Sequence, residues 1–324
     1  MRIALVVPYF GHFNNYFPLV LKSCEINRDI CDWIFFTDDR TPYEYPDNVK
    51  VHYIEFSEIK EKIEKKFNFS ISLERPYKFC DYKPMYGYIF EEYLKGYDFW
   101  GHCDIDCIYG KFSNFFKEDI MNYDKVMRLG HLTLYRNTKE VNTRFFKPIN
   151  GIERYKQVLQ TSDSCIFDEH NAQGNLCIDD LWHEYGYSCK TYDREIANTY
   201  YKSNSFQLLY QLDGANYESE DRIRAIFYWN KDGLVRVYEK GGKLEKKEYM
   251  YIHLMKRKMN VCIYDKSPSI YKIIPNRFEE VKQVPQSIQE FRKEKWRRLN
   301  FQYFKVRWNN LKIKVRRKLG KINN

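Results

Sequence analysis

Apolar and polar positions follow two rhythms along this chain. Arg2–Val7 (RIALVV) is an unbroken apolar run that stops at Pro8, the pattern of a buried strand. Asp32–Thr37 (DWIFFT) repeats it and stops at Asp38-Asp39, and Val49–Phe56 predicts a third strand. Tyr97–Cys103 (YDFWGHC) predicts a fourth, which runs straight into Asp104-Ile105-Asp106. Helical patterns separate these runs. Tyr16–Ser23 opens a helix, Ser57 is placed to cap another through Lys66, and Asp81–Leu94 reads as a third with Pro84 in its first turn. Strands alternating with helices predict an α/β fold, a mixed, largely parallel sheet flanked by helices, with ligands bound beyond the carboxyl ends of its strands.

Past residue 110 the pattern loosens. Lys125–Arg128 and Leu132–Tyr135 predict short strands, and Asp179–Tyr185 a helix with Asp179 as N-cap. Arg222–Trp229 and Leu234–Glu239 flank Asn230-Lys231-Asp232-Gly233, a hairpin signal, and Tyr249–Leu254 predicts a last strand. Residues 1–285 show no internal repeat and read as one body, whose pattern changes near residue 110.

Residues 286–324 are different. Trp296, Leu299, Tyr303, Phe304, Trp308, Leu311, Val315 and Leu319 recur at spacings of three to five, so they share one face of a basic amphipathic helix about 45 Å long. The net charge of the chain is +10, yet residues 292–324 alone hold thirteen Lys and Arg against one acid, Glu294. The body is therefore slightly acidic, which argues against a globally basic nucleic-acid binder. The tail suits an anionic membrane surface, packing on the body, or nucleic acid, in descending order of fit. The nine cysteines include no CxxC pair, and no apolar stretch approaches the ~20 residues of a membrane span. Ile3–Val7 is too short for a signal-peptide core. These features predict a cytoplasmic protein with reduced thiols.

His102-Cys103-Asp104-Ile105-Asp106 carries the most chemistry. Two carboxylates one residue apart at a strand end can hold Mg²⁺ or Mn²⁺ together with substrate phosphates, although the spacing alone also fits a solvated turn. Tyr249–Lys258 (YMYIHLMKRK) is a strand ending in His253, a third metal ligand, with Lys256 and Lys258 placed to meet diphosphate oxygens. Cys103 and Cys107 straddle the carboxylates without a second thiol pair, so a zinc site is rejected in favour of buried thiols.

The segments RPYKFCDYKPMYG (75–87), YDFWGHCDIDCIYG (97–110) and FDEH (167–170) resemble an uncharacterised bacterial family found among capsule and surface-polysaccharide biosynthesis genes. The arrangement is also similar to the GT-A-fold glycosyltransferases. That resemblance implies a GT-A-like, Rossmann-like sheet and a nucleotide-sugar donor, with a UDP-sugar favoured. It also implies a divalent cation on Asp104, Asp106 and His253, with Lys78, Asp81 and Lys83 in the donor-contacting segment. Under it, residues 1–110 of the body 1–285 are the nucleotide-sugar-binding half and 111–285 the acceptor half with the late His strand. Tyr9, Phe10 or His12 then borders the nucleoside and Asp38 or Asp39 meets uracil or ribose, unless these are an ordinary loop and a capped turn. Asp168 or Glu169 is the candidate base toward a glycan or lipid-linked glycan acceptor, or part of a polar loop. The implied enzyme works peripherally at the inner face of the cell membrane. Two competitors remain: an Asp-x-Asp phosphatase or phosphotransferase, whose motif usually follows the first strand, and a non-enzymatic adaptor that uses the basic tail.

Overall fold

All four early apolar runs are strands: β1 (Ile3–Pro8), β2 (Cys31–Thr37), β3 (Val49–Tyr53) and β4 (Phe99–Cys103). The computed structural model describes the chain except residues 172, 200–204, 212–215, 220–222, 256–257, 265–268, 297–303, 305–306, 309–310, 313–314 and 316–324. The four strands are parallel and lie in the order β3-β2-β1-β4. The chain then makes β5 (Cys107–Tyr109), β6 (Lys125–Leu129), β7 (Leu132–Arg136) and β8 (Cys189–Lys190). β7 pairs antiparallel with β4, and β6 and β8 complete a seven-stranded mixed sheet.

The period of two along β1 explains the layers. Ile3, Leu5 and Val7 point into a core shared with helix α1 (Phe17–Glu25). Ala4 and Val6 point into a second core, filled by Ile59 and Ile63 of α2 (Phe56–Glu64) and by residues 79–94. α2 starts two residues earlier than expected. Glu55 rather than Ser57 is its N-cap, and the Glu58 carboxylate accepts the Glu55 N–H at 2.9 Å. Asp81–Leu94 is not one helix. It is α3 (Phe79–Tyr82) and α4 (Tyr86–Ile89), joined and flanked by 3₁₀ turns, with Pro84 in the turn between them. Proline there removes an N–H and breaks the ladder.

Three further helices pad the same face: α5 (Lys139–Thr143), α6 (Arg154–Gln160) and α7 (Ile178–Glu184). Cys177, not Asp179, is the N-cap of α7. Asp179 lies inside the first turn, buried, in ion pairs with Lys125 and with Arg128 at 3.5 Å.

A second sheet has the order β11-β10-β9-β15-β5, built from β9 (Ile196–Asn198), β10 (Gln207–Gln211), β11 (Asn216–Ser219) and β15 (Tyr251–His253). A third, unanticipated sheet lies between them in sequence and continues past β15. It contains β12 (Ala225–Asn230), β13 (Gly233–Lys240), β14 (Lys243–Tyr249), β16 (Asn260–Cys262), β17 (Ile270–Ile274) and β18 (Arg277–Glu280). The β12–β13 hairpin turns where expected, with Gly233 at φ +136° and the Asn230 side chain accepting the Asp232 and Gly233 N–H groups.

Helix α8 (Ile288–Lys293) covers the outer face of this sheet. Its Phe291 is fully buried among Ile226, Tyr228, Val237 and Ile274. The basic segment is therefore not a single free helix from 286. α8 stops at Glu294, whose backbone is extended, because Arg224 donates to the Arg292 carbonyl at 2.5 Å and Lys272 grips Glu294 at 2.6 Å. Among the described residues, no helix is long and apolar enough to cross a membrane.

Candidate metal and donor site

Strand order places the site. β1 sends its connection to β2 on one side and has β4 on the other, so a crevice opens at the carboxyl ends of β1 and β4. Beyond β1, the loop 9–13 is tied to the end of β2. Asp38 accepts the Gly11 N–H at 2.7 Å, and buried Asp39 accepts from Phe13 N at 2.9 Å and from Thr41. Tyr9 is half-buried, stacks on Phe13 and donates to the His12 carbonyl, while His12 itself is exposed. Burial, with Asp106 next, raises the Tyr9 phenol, so this loop lies beside the aspartates.

The Asp104–Asp106 turn is the crossing point of two sheets, since β4 enters it from the first and β5 leaves it in the second. β15 pairs antiparallel with β5 in a register that sets His253 opposite Cys107. The Leu254 N–H then donates to the Asp106 carbonyl at 2.8 Å. As a result His253 Nε2 lies 3.5 Å from Asp106 Oδ1 and 3.7 Å from Asp104 Oδ2. Neighbouring ligands of an octahedral ion with ~2.1 Å bonds stand about 3 Å apart. The two imidazole–carboxylate distances are close to that spacing, all three ligand atoms lie within 4.8 Å of one another, and two carboxylates with one imidazole suit Mn²⁺ or Mg²⁺.

On the far side of Asp104 stands Lys83. Its ammonium donates to Asp104 Oδ1 at 2.7 Å and to the Gly130 carbonyl at 2.7 Å, and it pairs with Asp168 Oδ2 at 3.3 Å. Three protons meet three acceptors, so Lys83 is committed inside the protein rather than offered to a phosphate. Burial opposes the charge on Asp104, but Lys83 and then His253 hold its carboxyl well below the usual range. Burial pushes Asp168 the other way, up to about 7, against the pull of Lys83 and with Glu169 adding to the rise. Glu169 accepts the Gly130 N–H at 2.8 Å.

Lys78 and Asp81 also differ from expectation. They form a buried ion pair at 2.9 Å, and Asp81 accepts the N–H groups of Cys165 and Phe167. Lys78 donates to the Asp163 carbonyl at 2.6 Å. The pair brackets the segment that carries Asp168 and Glu169, so its contact with a donor is replaced by a supporting role. Lys258 is exposed, and Lys256 lies outside the described residues.

The residues least visible in the sequence are Gly130 and His131, the turn between β6 and β7. The His131 carbonyl accepts the Asp104 N–H at 3.2 Å. Its buried ring stacks on His253 with centroids 4.4 Å apart, and its two nitrogens meet the Tyr251 hydroxyl at 2.7 Å and the Tyr217 hydroxyl at 3.1 Å. Burial, then His253, holds the His131 imidazole well below its ordinary pKa, hence neutral. A methyl on Gly130 would sit 2.8 Å from Asp168 Oδ2. Glycine thus leaves room for the Asp168 and Glu169 carboxylates beside the turn, and β6 carries a register irregularity with Met127 at φ +74°.

His170, Cys177 and Asp180 form a second group of ligand-type side chains. There Asp180 accepts the Cys177 N–H at 2.7 Å in a helix cap, which accounts for the proximity of those two. None of the nine cysteines is in a disulfide, and burial pushes the Cys103 thiol up to about 12.

Comparison with known proteins adds a family and no activity. No curated protein matches the chain. Residues 5–282, most of the chain and all of the candidate site, match the model of the Family of unknown function (DUF6625), and the protein belongs to that family.

Proposed function

We propose that this protein is a metal-dependent glycosyltransferase of GT-A-like fold, using a nucleotide-sugar, with a UDP-sugar favoured, and a surface-polysaccharide or lipid-linked glycan acceptor. The observation that carries the reading is the convergence of Asp104, Asp106 and His253 in one crevice. The β3-β2-β1-β4 order beside it is that of a mononucleotide-binding half. A bound Mn²⁺ or Mg²⁺ would neutralise the departing diphosphate. Asp104 is divided between two tasks, with one oxygen on Lys83 and the other facing His253. His131 fixes the plane of His253 by stacking. Tyr9, His12 and Asp38 line the β1 side, where a nucleoside would lie. Asp168 or Glu169 would take the proton of the acceptor hydroxyl, and the raised pKa of Asp168 suits it to that exchange near neutral pH.

An Asp-x-Asp phosphatase is less well supported, because the motif follows β4 rather than β1 and is joined by a late histidine. The deciding experiment is calorimetry of UDP binding with and without Mn²⁺, together with a screen of nucleotide-sugar hydrolysis. Metal-dependent UDP binding that Asp106→Ala removes while the far-UV spectrum is unchanged is the expected result. Metal-independent binding, or none, overturns the proposal.

A further inference from the structure

Phe304, Trp308, Leu311 and Val315 are helical, and their exposures are 54, 59, 52 and 46 %. Spacings of four, three and four keep them within about 60° of one another on a helix that turns ~100° per residue. At that spacing the four share one apolar face, and each is about half exposed. Phe291, the apolar anchor of α8, shows the contrast, since it is completely buried on the third sheet. Among the described residues of this segment, Ile288, Phe291 and Trp296 pack on the body.

The chemistry around the stripe names its occupant. Residues 292–324 carry thirteen cations and one acid, and that acid is spent on Lys272. Arg307 and Lys312 are exposed in the same helical stretch, and the Lys312 ammonium lies 5.6 Å above the Trp308 ring. A lysine whose stem covers an indole while its charge reaches outward suits a boundary between hydrocarbon and anionic headgroups. Nucleic acid would use the cations and could stack on Phe304 and Trp308, but it offers nothing to Leu311 and Val315.

We infer that Phe304, Trp308, Leu311 and Val315 dock on an anionic lipid bilayer, with the surrounding Lys and Arg side chains at its headgroups. This surface needs neither the metal trio nor a nucleotide, so it stands apart from the transferase reading. It is also compatible with that reading, since a lipid-linked acceptor would lie on the same surface.

Flotation of the full chain in EDTA, with vesicles of phosphatidylcholine alone or mixed with phosphatidylglycerol, tests it. Recovery should be at least about tenfold higher with the anionic vesicles and should fall with added salt. The double variant Trp308→Ser, Leu311→Ser should float at least about tenfold less while keeping its far-UV spectrum and melting temperature, because both side chains are exposed. Equal recovery from the two vesicle types, no recovery from either, or undiminished recovery of the variant overturns the inference. Binding of a short fluorescent RNA that the double variant loses, in the absence of flotation, overturns it in favour of nucleic acid. UDP binding measured on the same preparations shows whether a failure belongs to the tail or to the site.

Discussion

Two acidic pairs flank Lys83, and one member of each is shifted in the opposite direction. Asp104 and Asp106 end β4 and share His253, and Asp104 remains one-third exposed. Asp168 and Glu169 sit on the loop before α7, where Asp168 is buried and receives only the longest of the three Lys83 contacts. Asp104 is therefore held ionised, whereas Asp168 is raised to about 7. Identical side chains on one lysine acquire opposite proton affinities through differences of a few tenths of an ångström and of burial.

The sharpest way to break this division is to neutralise one member of each pair. Asp106→Asn should lower Mn²⁺-dependent UDP affinity on the order of 100-fold. Asp168→Asn should leave that affinity nearly unchanged and lower turnover by about 10²–10⁴-fold, read by release of UDP. Equal losses of binding in both variants would merge the two pairs into one site. Next in size is Lys83→Met, which leaves Asp104 and Asp168 without their shared cation. It should cost about 3–5 kcal/mol in urea unfolding. Gly130→Ala pushes a methyl against Asp168 and Glu169 and should cost about 1–3 kcal/mol, with a loss of activity out of proportion to that cost.

The smallest effect is a slope. Asp168 binds its proton more tightly when folded, so its contribution to stability falls as pH rises from about 3.9, the unfolded value, to about 7. Asp104, with a depressed pKa, acts in the opposite sense, and its contribution is lost as pH falls below the unfolded value. Unfolding free energies followed across that range should flatten in Asp168→Asn. An unaltered slope would mean that Asp168 is ionised like its neighbours.

Much of this architecture is legible in the residues. β1, β2 and β4 are apolar runs ended by Pro or Asp, and such runs can only be buried. The Asp-x-Asp turn and the strand ending in His253 were visible for the same reason. Their meeting was not, because the β5–β15 register joins distant parts of the chain. Lys78 and Asp81 look like ligand contacts until burial shows that they serve each other. His131 carries no local signal, being one residue of a turn whose ring is placed by two tyrosines from the second sheet. β14 (KLEKKEY) was missed because an edge strand with its lysines toward water has little apolar periodicity. The stop of α8 depends on Arg224 and Lys272, which no helix propensity encodes.

The pairing of Tyr251–His253 with Cys107–Tyr109 has a kinetic consequence. Its two halves are three residues each and nearly half the chain apart, so closing it costs the entropy of a long loop and slows folding. The chain can gain or lose residues in between at little entropic cost, about 0.6 kcal/mol for each doubling of a loop. A slip of one residue within the zip would turn His253 to the opposite face. The clasp thus tolerates a changing middle while its own alignment is all-or-none.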